Sequence, residues 1–451
     1  MPRGLHLRGQ PHAVHPARRV RRLRCVRAGL PGRGHLLRRR RARRPEDVLR
    51  RQRQLLRHRR FARRRGAAGS DRRRPPLRGR PAAPGRVSVR DRHLPDFPWD
   101  SLAGAKTRAQ AHPGGIVDLS VGTPVDPTPE LGRRALIEAA DAPGYPTVWG
   151  TPALRDAVRT YLQGRWGSVP IADEGVLPVI GTKELVAQLP HLLGLGADDV
   201  VVIPEVAYPT YEVGALLAGA RVVACDDPSA IEGLKPALVW INSPANPHGT
   251  ILSAGHLAAW VGYCRERGAV LASDECYGEF GWDREPVSVL HPSVNGGSLH
   301  GLLAVHSLSK RSNVAGYRAG FVAGESALVS ALRELRKHAG GMVPTPVQAA
   351  MAALLGDQRH VQQQRERYLR RRGVLRPALE ASGFRVEHSE GSLYLWCTRD
   401  EPGRVSVDRL AELGILVAPG DFYGAASTNF VRVALTATDE RVDAAVNRLT
   451  G

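Results

Sequence analysis

Between residues 116 and 335, seven short apolar runs alternate with helical stretches, and no other feature restricts the fold as much. The runs are GVLPVI, DVVVIP, RVVAC, ALVWI, AVLAS, LLAVHS and AGFVAG. Segments such as ELVAQLPHLLGLG and AGHLAAWVGYCRERG separate them. The runs are apolar throughout instead of alternating, as strands buried on both faces require. Such an order predicts an α/β fold, a mostly parallel sheet flanked by helices. After about 335 the pattern predicts one long amphipathic helix, VQAAMAALLGDQRHVQQQRERYLRRRGVLRPALEAS, and then an α+β run ending in RVDAAVNRLTG. We therefore expect an N-terminal arm with part of a small domain over 87–133, a large domain over 134–335 and a small C-terminal domain over 336–451.

Composition matters most at the N-terminus. The chain of 451 residues carries a formal charge of +22, a value that points to nucleic acid or anionic membrane. Residues 1–86, however, hold 30 arginines, no lysine and three acids, which leaves 87–451 net acidic. A basic arm that binds nucleic acid mixes lysine with arginine and interleaves aromatic rings. Here Phe61 is the one Phe, Tyr or Trp of the leader. Arginine also dominates GC-rich DNA read out of frame. With GTG for Val and CTG for Leu, reading one base later at Val20, Leu23, Val26 and Leu30 gives cysteines spaced C-x2-C-x2-C-x3-C before a proline. That is a ferredoxin cluster run. We read 1–86 as out-of-frame, disordered text from a neighbouring ferredoxin-like gene, with the true start near Val87. A disordered arginine-rich binding arm is the competing reading. Five cysteines without paired spacing (Cys25, Cys225, Cys264, Cys276, Cys397) fit free thiols in a reducing cytoplasm. No run of 18 apolar residues suggests a membrane span.

Polar residues collect where the strands end. INSPANPHG presents Asn246, ASDECYGEF presents Asp274 and Tyr277, and HSLSK presents Ser307 and Lys310. VIGTKE places Gly181 and Thr182 at a helix start, and Arg318 follows Lys310 by eight positions. Each has a plain structural alternative. N-P-x-G is a common turn, an aspartate after a strand is often a helix cap, and most lysines are solvated. Together at the C-terminal edge of an open α/β sheet, where ligands bind, they are far more specific. A lysine for an imine, a carboxylate for a ring nitrogen, donors to a phenolic oxygen and a phosphate cradle at a helix N-terminus are the needs of pyridoxal phosphate.

Over about 87–451 the chain resembles class I/II pyridoxal-phosphate aminotransferases of the aspartate aminotransferase fold (fold type I), in the intervals between Asn246, Asp274 and Lys310. The resemblance implies that Lys310 carries the cofactor as an imine and shuttles the substrate proton. Asp274 would pair with the pyridine nitrogen, Asn246 and Tyr277 would bond the phenolic oxygen, and Tyr208 would stack on the ring. Gly181, Thr182, Ser307 and Arg318 would hold the phosphate. Tyr145, in GYPTVWGTPALR, would reach the cofactor phosphate of a partner subunit in a homodimer. Arg432, in FVRVALT, would grip the substrate α-carboxylate with the Gly122 backbone, and Asn246 would also border the substrate. Apolar flanks Val431 and Val433 argue that Arg432 is buried and in need of a carboxylate.

SVGTPVDPTP, GYPTVWGTP, HSLSKRSNVAGYR and APGDFYG are most similar to bacterial succinyldiaminopimelate aminotransferases of lysine biosynthesis. That implies amino transfer between N-succinyl-LL-2,6-diaminopimelate and 2-oxoglutarate in the cytoplasm, with no nucleic-acid or membrane partner and no metal. EGSLYLW (390–396) is a candidate wall for the distal end of the substrate. An aspartate-type or aromatic aminotransferase, or a carbon–sulfur lyase, would use the same cofactor residues. An arginine-rich nucleic-acid-binding protein is the remote alternative.

Overall fold

All seven predicted strands join in one sheet. The computed structural model describes residues 94–451, and the expectations for 1–86, including Cys25, lie outside the described residues. Across the sheet the order is Val176–Ile180, Ala319–Gly324, Leu302–Ser307, Val270–Asp274, Leu238–Asn242, Val200–Ile203 and Arg221–Ala224. Only Ala319–Gly324 runs antiparallel to its neighbours. The uniform apolarity of the runs has a direct cause. Val200, Val202, Val239, Ile241 and Leu271 enter one core, and Val201, Ile203, Leu238, Trp240 and Ala272 enter another. Successive residues of a strand face opposite sides, so both faces must be apolar when helices cover both.

A second sheet, antiparallel, has the order Ala418–Pro419, Phe430–Ala434, Tyr394–Thr398, Arg385–Glu387. Its core also takes Leu102, Ala105, Ala109, Val117 and Leu119 from the N-terminal arm. Val117–Asp118 pairs in parallel with Ile415–Leu416, tying the N-terminal arm to the C-terminal part of the described residues.

The single long helix expected after 345 is two helices, Thr345–Leu355 and Arg359–Ala381. Met351, Leu354 and Leu355 pack into the large-sheet core, whereas Tyr368, Leu375 and Leu379 pack into the second core. Asp357 accepts from the amides of Arg359 (3.3 Å) and His360 (3.0 Å), capping the second helix where the first stops. The change of core thus falls at 356–358, beyond the expected 335.

Candidate active site

Strand register assembles the polar edge. Asn242 pairs with Asp274, Asp274 with Val305, and Ser307 with Gly320. These C-terminal strand ends open onto a cavity of about 580 Å³ closed on its far side by the second sheet. Gly122, Thr182, Tyr208, Asn246, Asp274, Tyr277, Ser307, Lys310, Arg318 and Arg432 all line it. Gly181 lies beside it at the helix start. Tyr145 stands apart, 97% exposed on the loop before the helix Pro152–Trp166. A second cavity of about 390 Å³, lined by His248, Trp260 and Phe430, shares only Asn242 with the first and has no lysine or arginine in its wall.

Asp274, the last residue of its strand, is buried. Its carboxylate accepts from the Tyr211 hydroxyl (2.7 Å) and the Cys276 amide (3.1 Å). Burial pushes this carboxyl above the usual range while those bonds pull it back, and among the described residues no basic side chain forms an ion pair with it. A buried carboxylate of this kind calls for a cationic partner. Tyr211 was missed from sequence, since PEVAYPTYE offered Tyr208 as the more obvious ring. Tyr208 is half-buried, 5.7 Å from Tyr211 between ring centroids, and burial raises its phenol to about 12.

Lys310 sits in the short helix Leu308–Arg311 that follows the strand. Its amine donates to the Gly122 carbonyl. Burial first, and the nearby Arg432 and Arg318 charges, hold the amine below the usual lysine range.

Arg432 lies on an interior strand, not an edge. The expected carboxylate partner is absent among the described residues. Nη1 donates to Asn246 Oδ1 (2.8 Å), Nη2 donates to the Ser120 carbonyl (2.6 Å), and Nε has no partner. Asn246 therefore spends its side-chain oxygen on Arg432, and its backbone N–H donates to Asn242 Oδ1 (2.7 Å). The Tyr277 hydroxyl lies 2.8 Å from that of Tyr394. Neither Asn246 nor Tyr277 was expected to make these contacts, which arise because the antiparallel sheet brings Arg432 and Tyr394 against the strand ends.

The remaining corner is cationic. Gly181 adopts φ +72 and precedes the helix Thr182–Leu192. A Cβ at Gly181 would overlap the Arg318 guanidinium, so the glycine lets that side chain lie over the helix start. Ser307 is buried, and its hydroxyl accepts from the Ser309 amide (3.1 Å). Lys183, also missed, lines the cavity 5.7 Å from the Tyr208 ring centre and, among the described residues, pairs with no acid. Helix N-terminus, arginine and hydroxyls form a cradle suited to a phosphate. The unpaired Asp274 suits a protonated ring nitrogen. The residues present fit pyridoxal phosphate.

Comparison with known proteins agrees with this chemistry. Residues 115–449 match the family described as aminotransferase class I and II. The chain is 59% identical over 369 residues to the probable aminotransferase Rv1178 of Mycobacterium tuberculosis, covering 82% of this chain and 88% of that one. It is 57% identical over 359 residues to 4-dedimethylamino-4-oxo-anhydrotetracycline transaminase OxyQ of Streptomyces rimosus, covering 80% of this chain and 100% of that one. An aspartate aminotransferase variant of Thermus thermophilus superposes with a TM-score of 0.72 at 22% identity, covering 80% of this chain and 99% of that one, which shows the shared fold. The chain belongs to the class I and II aminotransferases, pyridoxal-phosphate-dependent enzymes of the aspartate aminotransferase fold.

Proposed function

We propose that this aminotransferase moves an amino group between N-succinyl-LL-2,6-diaminopimelate and 2-oxoglutarate. The observation that carries an amino-acid substrate is Arg432, a buried guanidinium that opens onto the cavity and bonds only neutral oxygens among the described residues. A substrate carboxylate supplies the missing anion. Lys183, which lines the same cavity and pairs with no acid among the described residues, offers a second positive group for a distal carboxylate.

Bound pyridoxal phosphate supplies an electron-poor ring that stabilises negative charge at the substrate α-carbon. Lys310 takes and returns the proton at that carbon, a task that suits an amine held below the usual lysine range. Asp274 keeps the ring nitrogen protonated, with Tyr211 orienting the carboxylate. Asn246 and Tyr277 would hold the phenolic oxygen, and Tyr208 would cover the ring face. Gly181, Thr182, Ser307 and Arg318 bind the phosphate. Gly122 and Arg432 orient the α-carboxylate. Tyr145 reaches the phosphate site of a second copy, so that the active unit is a homodimer.

A second reading rests on the 57% identity to OxyQ, a transaminase named for a 4-oxo-anhydrotetracycline. A substrate panel separates the two. Purified enzyme should convert N-succinyl-LL-2,6-diaminopimelate with 2-oxoglutarate faster than aspartate or phenylalanine. Turnover of the tetracycline ketone with none of the succinylated substrate would favour the second reading. Ammonia release without an oxo acid would point to a lyase.

A further inference from the structure

The roles above leave unused a polar contact of the cavity wall, between Tyr277 and Tyr394. Tyr394 opens the strand Tyr394–Thr398 and is 2% exposed. Its hydroxyl lies 2.8 Å from that of Tyr277. A Cβ at Gly122 would collide with the same oxygen, so the phenol rests on the Gly122 backbone, whose carbonyl receives the Lys310 amine. The Arg432 guanidinium carbon stands 4.0 Å from the Tyr394 ring centre. The phenol is thus enclosed by two cations, a second phenol and a glycine.

We propose that Tyr394 is a positioning residue for Lys310, its hydroxyl serving as the counter-group that a carboxylate would otherwise provide at this end of the cavity. The proposal rests on the reading of Lys310 as the proton-transferring amine. Geometry carries it, and electrostatics point the same way. Burial raises both phenols, and Tyr277 ends well above the usual tyrosine range. Arg432 and Lys310, with the bond to Tyr277, more than reverse that effect at Tyr394, which ends below it. Of the pair, Tyr394 is the phenol whose ionised form the Arg432 and Lys310 charges favour, and the two hydroxyls share one hydrogen bond. The groups facing Tyr394 are Arg432, Lys310 and Tyr277, with the phenols of Tyr208, Tyr368 and Tyr423 beyond them. A carboxylate placed there would pair permanently with Arg432 and shut out the substrate. A phenol ionises far less readily than a carboxylate, so it can balance the amine while leaving the guanidinium's donors to a substrate carboxylate.

The test uses the full chain freed of cofactor. Trace acetylation with acetic anhydride across a pH series, read on the Lys310 peptide by mass spectrometry, gives the midpoint at which the amine becomes reactive. In Tyr394→Phe the midpoint should fall by about half a unit, so that labelling below it is about threefold faster. Incorporating 3-fluorotyrosine at position 394 keeps ring and hydroxyl and makes the phenol more acidic, and the midpoint should rise. Opposite shifts support the proposal. An unchanged midpoint in both, or shifts of the same sign, overturns it, and the fluorinated protein decides alone if Tyr394→Phe does not fold. Turnover of Lys310→Ala is measured in parallel. If that variant stays active, the reading of Lys310 fails, whatever the Tyr394 variants do.

Discussion

At the scale of single residues, the site stores charge that the fold would be more stable without. Lys310 has its amine lowered by burial, so the folded protein binds that proton less readily than the unfolded chain does. The cost is fully present below the folded pKa and fades as pH rises toward 10.5. Lys310→Met should therefore melt a few degrees higher than the parent in cofactor-free form at neutral pH, and thermal melts should show the gap closing as pH rises. Lys310→Ala should lose transamination by orders of magnitude, because the proton at the α-carbon loses its acceptor. Asp274 shows the opposite sign. Burial raises it above 3.8, so its cost grows as pH rises through the folded value. Tyr211→Phe removes a bond to this carboxylate worth about 1.5–3 kcal/mol, and steady-state kinetics should show turnover reduced about tenfold or more.

At the scale of elements, the proposed phosphate cradle depends on one backbone angle. Gly181 at φ +72 joins the edge strand to its helix and leaves room for the Arg318 guanidinium. An alanine there meets about 1 kcal/mol of backbone cost and displaces the arginine as well. Gly181→Ala should weaken pyridoxal phosphate binding at least tenfold in a fluorescence titration, with melting of the cofactor-free protein changed far less. Unchanged affinity would show that the cradle lies elsewhere.

At the scale of the whole molecule, the cavity exists only while two cores hold their places, since Asp274 and Lys310 come from one sheet and Tyr394 and Arg432 from the other. One link between the helix Arg359–Ala381 and the segment before residue 130 is Arg371, 3% exposed, which donates to both Asp126 oxygens at 2.7 and 2.9 Å. Asp439 holds its Nε at 2.6 Å. Against a desolvation that raises it, bonds from Arg371 and Gln364 bring Asp126 below 3.8. Its contribution is present above 3.8 and is lost as pH falls through the lower folded value. Asp126→Asn should cost about 3 kcal/mol near neutrality, at the low end for orphaning a buried charge because Asp439 remains. Urea melts should show this loss shrinking in acid. A loss that is the same at all pH values would show that the pair does not carry the link.

The seven strands and the positions of Asn246, Asp274, Lys310 and Gly181 were legible in the sequence for a local reason. Two-sided burial writes itself as continuous apolar runs, and a residue at the end of such a run must emerge at the sheet edge. The break at 356–358 was not legible. Helical periodicity continues across GDQ, and what ends the first helix is that its two halves serve different cores. Tyr211, Lys183 and the pairing of Tyr277 with Tyr394 were hidden likewise, because 117 residues separate those two phenols and no local pattern encodes their meeting. The local sequence by itself determined which polar residues stand at the strand ends and face the cavity. Only the tertiary structure decided which neighbours set their charge, since burial and distance between segments remote in the chain govern every shift of acidity at the site.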